Sequence, residues 1–102
     1  MSDWNSINDF CKQSLSYDYV VLNAGGMPDT LIENNFNVEH QCASQLIGHY
    51  YLILCLNQNG SLKENARIIW VSSGGMYLKK LDLQNLFHNN NYEKISTYAN
   101  VK

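Results

Sequence analysis

The sequence predicts an α/β domain built on parallel strands, and three observations carry that expectation. Two short apolar runs, Val20-Val21-Leu22 and Ile68-Ile69-Trp70-Val71, do not alternate with polar residues. Runs of that kind belong to parallel strands covered on both faces. A long helical pattern lies between them, as two parallel strands require. Each run ends in small residues: Asn23-Ala24-Gly25-Gly26 after the first, Ser72-Ser73-Gly74-Gly75 after the second. Ligands of open parallel sheets sit just beyond the carboxyl ends of the strands, so the two turns should share one mouth.

The elements follow in order. Ser2 to Ser14 reads as a helix, capped by Ser2 or Asp3, with Trp4, Ile7, Phe10 and Cys11 at helical spacing. Tyr17 to Leu22 is the first strand. Met27 to Asn37 holds the only proline and several asparagines, so it reads as a loop with a short helical turn at Asp29 to Glu33. From Val38 to Asn57 the pattern is helical, with Cys42, Leu46, Tyr50 and Leu54 recurring every fourth residue as the expected buried stripe. Gly48 inside that helix costs about 1 kcal/mol against alanine, which a close approach of another element would explain. Arg67 to Val71 is the second strand. Met76 to Leu86 looks extended and then briefly helical, His88 to Tyr92 is an Asn-rich loop, and a last helix starts near Glu93 to Thr97.

Composition narrows the function classes. Charged residues make up 16% of the 102, against about 25% in ordinary globular domains. The net charge of -2, without a basic stripe, argues against nucleic acid as a partner. The longest apolar run, around Tyr50 to Leu56, is too short to span a bilayer. Three cysteines, Cys11, Cys42 and Cys55, form no C-x-x-C and point to reduced thiols in an intracellular, cytoplasmic setting. His40 and Cys42 stand two apart and do not share a helix face, so no metal site is expected. His49 reads as a partly buried helix residue with a satisfied nitrogen.

The end of the chain carries the chemistry. In Tyr98-Ala99-Asn100-Val101-Lys102, a helix would place Tyr98 and Lys102 on one face. An ammonium beside a phenol stabilises phenolate, which suits proton transfer near neutrality. Alone the pair is a common surface pattern. With Asn23-Ala24-Gly25 and Ser72-Ser73-Gly74 before it, the set resembles the successive motifs of the short-chain dehydrogenases/reductases. The resemblance covers essentially the whole chain and is nearest to the branch that includes retinol dehydrogenases and WW-domain oxidoreductases. Ile47-Gly48-His49-Tyr50, the segment Val71 to Met76 followed by Lys80-Leu81-Asp82-Leu83, and the 25 positions from Ser73 to Tyr98 all resemble that branch.

The resemblance implies a partial Rossmann-like fragment of a doubly wound parallel sheet, lacking the first βαβ unit and the C-terminal strands. It implies an NAD(P)-dependent oxidoreductase interconverting a carbonyl and an alcohol, with NAD or NADP as cofactor and a small, lipid-like substrate. Ser73, Tyr98 and Lys102 would be catalytic; Asn23, Ala24, Gly25, Tyr98 and Lys102 would border the cofactor. Of the two serines, it assigns the role to Ser73. Two departures stand out. The family usually has Asn three residues before the position of Gly48, and Gln45 stands here, one methylene longer. A displacement of about 1 Å in a relay costs on the order of 10²-fold in rate. The family also begins with a Gly-rich turn that cradles pyrophosphate at a helix N-terminus, and none is present. The chain therefore reads as the middle of a larger dehydrogenase, inactive alone. The alternatives are a non-catalytic remnant serving as an interaction fragment, or an unrelated small α/β binding module. Strands made for cover on both faces would leave open edges and invite self-association.

Overall fold

The protein is described by a computed structural model over residues 1–86 and 91–102. Most of the Asn-rich loop expected from His88 to Tyr92 lies outside the described residues. The first helix, α1 (Trp4–Cys11), is shorter than expected. Asp3 caps it, its carboxylate accepting from the Asn5 and Ser6 amides at 3.1 and 3.2 Å. Strand β1 (Tyr17–Leu22) has the predicted bounds. The helical turn expected at Asp29 to Glu33 is not formed. Backbone groups there pair at longer range instead: His40 N–H donates to Ile32 O, and Glu33 bridges Glu39.

The crossover helix begins at His40, and its first turns are wound differently from the pattern assumed. Cys42–Gly48 is a π-helical turn, continued by α2 (His49–Gln58). An i→i+5 turn takes more residues per revolution than an α-helix, so the buried face rotates. The expected stripe is corrected accordingly: Cys42 is buried, but Tyr50 is 57% and Leu54 38% exposed. Gln41, Gln45 and His49 lie inside in their place. Gly48 does mark a close approach, since an added Cβ would collide with the carbonyl oxygens of Met1 and Ala43. Glu39, itself buried, caps the run by accepting from the Gln41 and Cys42 amides at 2.8 and 2.9 Å.

Strand β2 (Leu62–Trp70) starts five residues earlier than expected. It pairs in parallel with β1, Val20 opposite Ile68, Val21 opposite Ile69 and Leu22 opposite Trp70. A 3₁₀ turn, Gly74–Leu78, follows, and α3 (Lys94–Val101) closes the described chain. Glu93 caps α3, accepting from the Ile95 and Ser96 amides. Asn100 holds the intervening segment through two hydrogen bonds to the Asp82 backbone. No helix among the described residues is long and apolar enough to cross a membrane.

The core lies between α1, α2 and one face of the sheet. Ile7, Cys11, Cys55 and Leu56 form it, with Tyr17, Val20 and Leu62 packed against it. The other sheet face is bare, which corrects the expectation of cover on both faces: Tyr19 is 64%, Val21 57% and Ile69 48% exposed. The accessible surface of 6719 Å² exceeds the roughly 5,900 Å² of a compact monomer of this mass. The excess, about 800 Å², is what one partner contributes to an interface of ordinary size. Apparent mass in sedimentation equilibrium should therefore rise with concentration through the micromolar range. Val21→Lys should suppress that rise; a concentration-independent monomer would contradict it.

Candidate functional site

Parallel pairing brings the two small-residue turns to the same end of the sheet. Leu22 and Trp70 share the last rung, and Val71 N–H extends the ladder to Leu22 O at 3.1 Å. Asn23, Ala24 and Gly25 leave β1 exposed to solvent. Beyond β2, Ser73 is extended, and its hydroxyl accepts from Gly75 N–H at 3.1 Å, starting the 3₁₀ turn. Tyr98 approaches the same glycine from α3. A Cβ on Gly75 would stand 3.4 Å from Ser73 Oγ and 3.9 Å from Tyr98 Cδ1. One small residue therefore separates the two side chains.

Lys102 lies one turn beyond Tyr98. Its Nζ is 5.6 Å from the Tyr98 ring centroid and donates to Val71 O at 3.2 Å. Ser72 Oγ donates to Lys102 O at 2.8 Å, tying the end of α3 to the end of β2. The two serines thus differ in use: Ser72 fastens the helix, while Ser73 faces the gap beside Tyr98. Ser73, Tyr98 and Lys102 are brought together, with Asn23, Ala24 and Gly25 on the adjoining strand end.

Two further side chains of this region, His49 and Gln45, are buried. His49 is 1% exposed and meets Trp70 edge-on at 5.9 Å between ring centroids. Neither ring nitrogen makes a hydrogen bond of good geometry, which corrects the expected satisfied nitrogen. Burial, then the nearby Lys102 charge, holds its pKa below the ordinary value; the Ala24 and Gln45 carbonyls pull the other way and do not prevail. Gln45 is equally buried, and its Nε2 donates to Gly26 O at 2.6 Å. A polar period of four, Gln41, Gln45, His49, was the signal for both. The cysteines take no part: burial pushes Cys11 up to about 11 and Cys42 up to about 12, so both stay protonated thiols.

A dinucleotide needs a cradle for its pyrophosphate as well as a wall for its reactive ring. The exposed Asn23–Gly25 turn and the Lys102 ammonium suit the ring and its ribose. The helix starts do not suit the phosphates. Asp3, Glu39 and Glu93 place a carboxylate at the N-termini of α1, the crossover helix and α3, where an anion would bind. No three metal-ligating side chains converge among the described residues.

No protein-family profile and no curated protein sequence matches this chain. The crystal structure of an uncharacterized protein from Mycobacterium paratuberculosis is similar, with a TM-score of 0.84 and 24% identity. The similarity covers 99% of this chain and 37% of that one, so this chain spans little more than a third of that protein's length. At that identity the likeness establishes a shared α/β fold.

His49 gives the site a pH signature. A group whose folded pKa is lowered binds fewer protons folded than unfolded, so stability is full above the unfolded value and declines as pH falls through it. Unfolding free energy from urea titration should drop below about pH 6.5, by up to about 1.4 kcal/mol per unit. His49→Phe should flatten that slope. An unchanged slope in the variant would remove His49 as its source.

Proposed function

We propose that this chain is the central part of an NAD(P)-dependent oxidoreductase of the short-chain dehydrogenase type, carrying its proton-transfer groups but not its phosphate cradle. The observation that carries this reading is the meeting of Ser73, Tyr98 and Lys102 at the carboxyl ends of two parallel strands, beside Asn23–Gly25. The two strands are then the middle of a doubly wound, Rossmann-like sheet. The similarity to the longer Mycobacterium protein supports an α/β fold. Three free, buried thiols support an intracellular, cytoplasmic setting.

The residues divide the work as follows. The Tyr98 hydroxyl gives a proton to a carbonyl oxygen, or takes one from an alcohol in the reverse direction. Lys102 stabilises the phenolate that remains, at the 5.6 Å seen between ammonium and ring. Ser73 turns its hydroxyl to the same oxygen as charge grows there. Nicotinamide, when bound, supplies or accepts the hydride. The substrate class is a carbonyl or alcohol.

A second reading has one observation in its favour. Acid-capped helix starts leave nothing for the pyrophosphate, which fits a non-catalytic remnant kept as an interaction fragment. Titration separates the two. Calorimetry on the 102-residue chain should show no saturable NADH or NADPH binding below millimolar concentration, and micromolar binding would overturn the missing cradle. In a longer polypeptide that supplies a Gly-rich turn, Tyr98→Phe should abolish turnover while cofactor affinity stays within a few-fold. Retained turnover there would remove Tyr98 from its role, and a longer form that binds cofactor without any turnover would favour the remnant.

A further inference from the structure

Three buried polar side chains stand in a row on the crossover helix: Gln41, Gln45 and His49, each no more than 1% exposed. Two of them reach the loop that follows β1, one directly and one through a tyrosine. Gln41 Nε2 donates to Lys94 O at 3.2 Å and to the Tyr92 hydroxyl at 3.1 Å, which in turn donates to Pro28 O at 2.6 Å. Gln45 Nε2 donates to Gly26 O at 2.6 Å. His49 lies within the influence of the Ala24 carbonyl. Gln45 is thus the member of the row that bonds directly to this loop.

Gly25 directly precedes the bonded Gly26. A Cβ there would stand 2.6 Å from Gln45 Oε1 and 2.9 Å from its Cδ. The backbone does not demand glycine at this position, because Gly60 is the glycine with positive φ among the described residues. Gly26, its neighbour, would meet nothing within 4 Å on gaining a Cβ. Gln45 cannot readily step aside. Its Nε2 bond to Gly26 O fixes the amide, and its Oε1 is buried with no donor.

We infer that Gln45 is a positioning residue that clamps the Gly25–Gly26 backbone at the mouth of the sheet, and that position 25 is glycine because the Gln45 amide fills the space a side chain would take. The extra methylene of Gln over Asn is what reaches Gly26 O. The clamp stands whether or not the dehydrogenase reading holds. Where that reading holds, the clamp sets the position of the wall that borders the cofactor.

A double-mutant cycle on the full chain tests it, with urea unfolding as the readout and neither cofactor nor substrate present. Gly25→Ala should lower the folding constant at least about tenfold in the natural background and no more than about twofold beside Gln45→Ala. Gly26→Ala should change it less than threefold in either. Amide hydrogen exchange at Met27, the residue after the clamped carbonyl, should quicken at least tenfold in Gln45→Ala. A Gly25→Ala penalty that is equal in both backgrounds, or absent from the natural one, overturns the inference. If Gly25→Ala alone does not fold, folding of the double variant supports the clamp and its failure to fold overturns it. A chain that never turns over substrate can still pass this test, so its failure is distinct from failure of the proposed activity.

Discussion

The rung that pairs Leu22 with Trp70 governs the rest of the structure. Because the strands are parallel and end together, whatever follows each must emerge at one place. The far end of the ladder absorbs the mismatch. From Tyr17 to Tyr19 β1 advances two positions while β2 advances five, from Leu62 to Arg67. That irregularity leaves the last four rungs in step. A bulge far from the mouth is thus compatible with the facing of Leu22 and Trp70 at it. The Ser72 and Lys102 contacts then secure α3 against the end of β2 and hold Tyr98 over Gly75.

Much of this was legible in residues. The apolar run at Tyr17 to Leu22 was legible because it does not alternate with polar residues and ends in the small-residue turn from Asn23. Glu93 was legible as the start of α3, since a carboxylate before a helical pattern has orphan amides to cap. The convergence of the two glycine turns followed from parallel pairing alone. The crossover helix was not legible in the same way. Apolar periodicity assumes that polar residues point outward, and Gln41, Gln45 and His49 point inward, Gln45 onto the Gly26 carbonyl and Gln41 onto the Tyr92 hydroxyl and the Lys94 carbonyl. The π-helical turn then shifts Tyr50 and Leu54 towards solvent. Side-chain to backbone bonds of this kind leave no period-of-four apolar trace.

Chemistry and cover are unevenly distributed over the molecule. The mouth carries a phenol, a hydroxyl and an ammonium within one small neighbourhood, on strands already paired. The face behind the sheet carries Tyr19, Val21 and Ile69 in the open. An apolar sheet face in water forgoes the burial, at about 25 cal/mol per Å², that usually holds such strands. The helix starts, closed by Asp3, Glu39 and Glu93, repel the anions that a dinucleotide would bring. The cluster at the mouth and the acid-capped helix starts thus have separate physical origins.

Everything functional rests on Tyr98 and Ser73 lying across Gly75 from one another at the end of a parallel ladder. Nuclear Overhauser contacts in solution measure that directly. Cross-peaks between the Tyr98 ring protons and the Gly75 α-protons should appear together with interstrand contacts from Val21 to Ile69. Intact interstrand contacts without any Tyr98–Gly75 cross-peak would contradict the shared site.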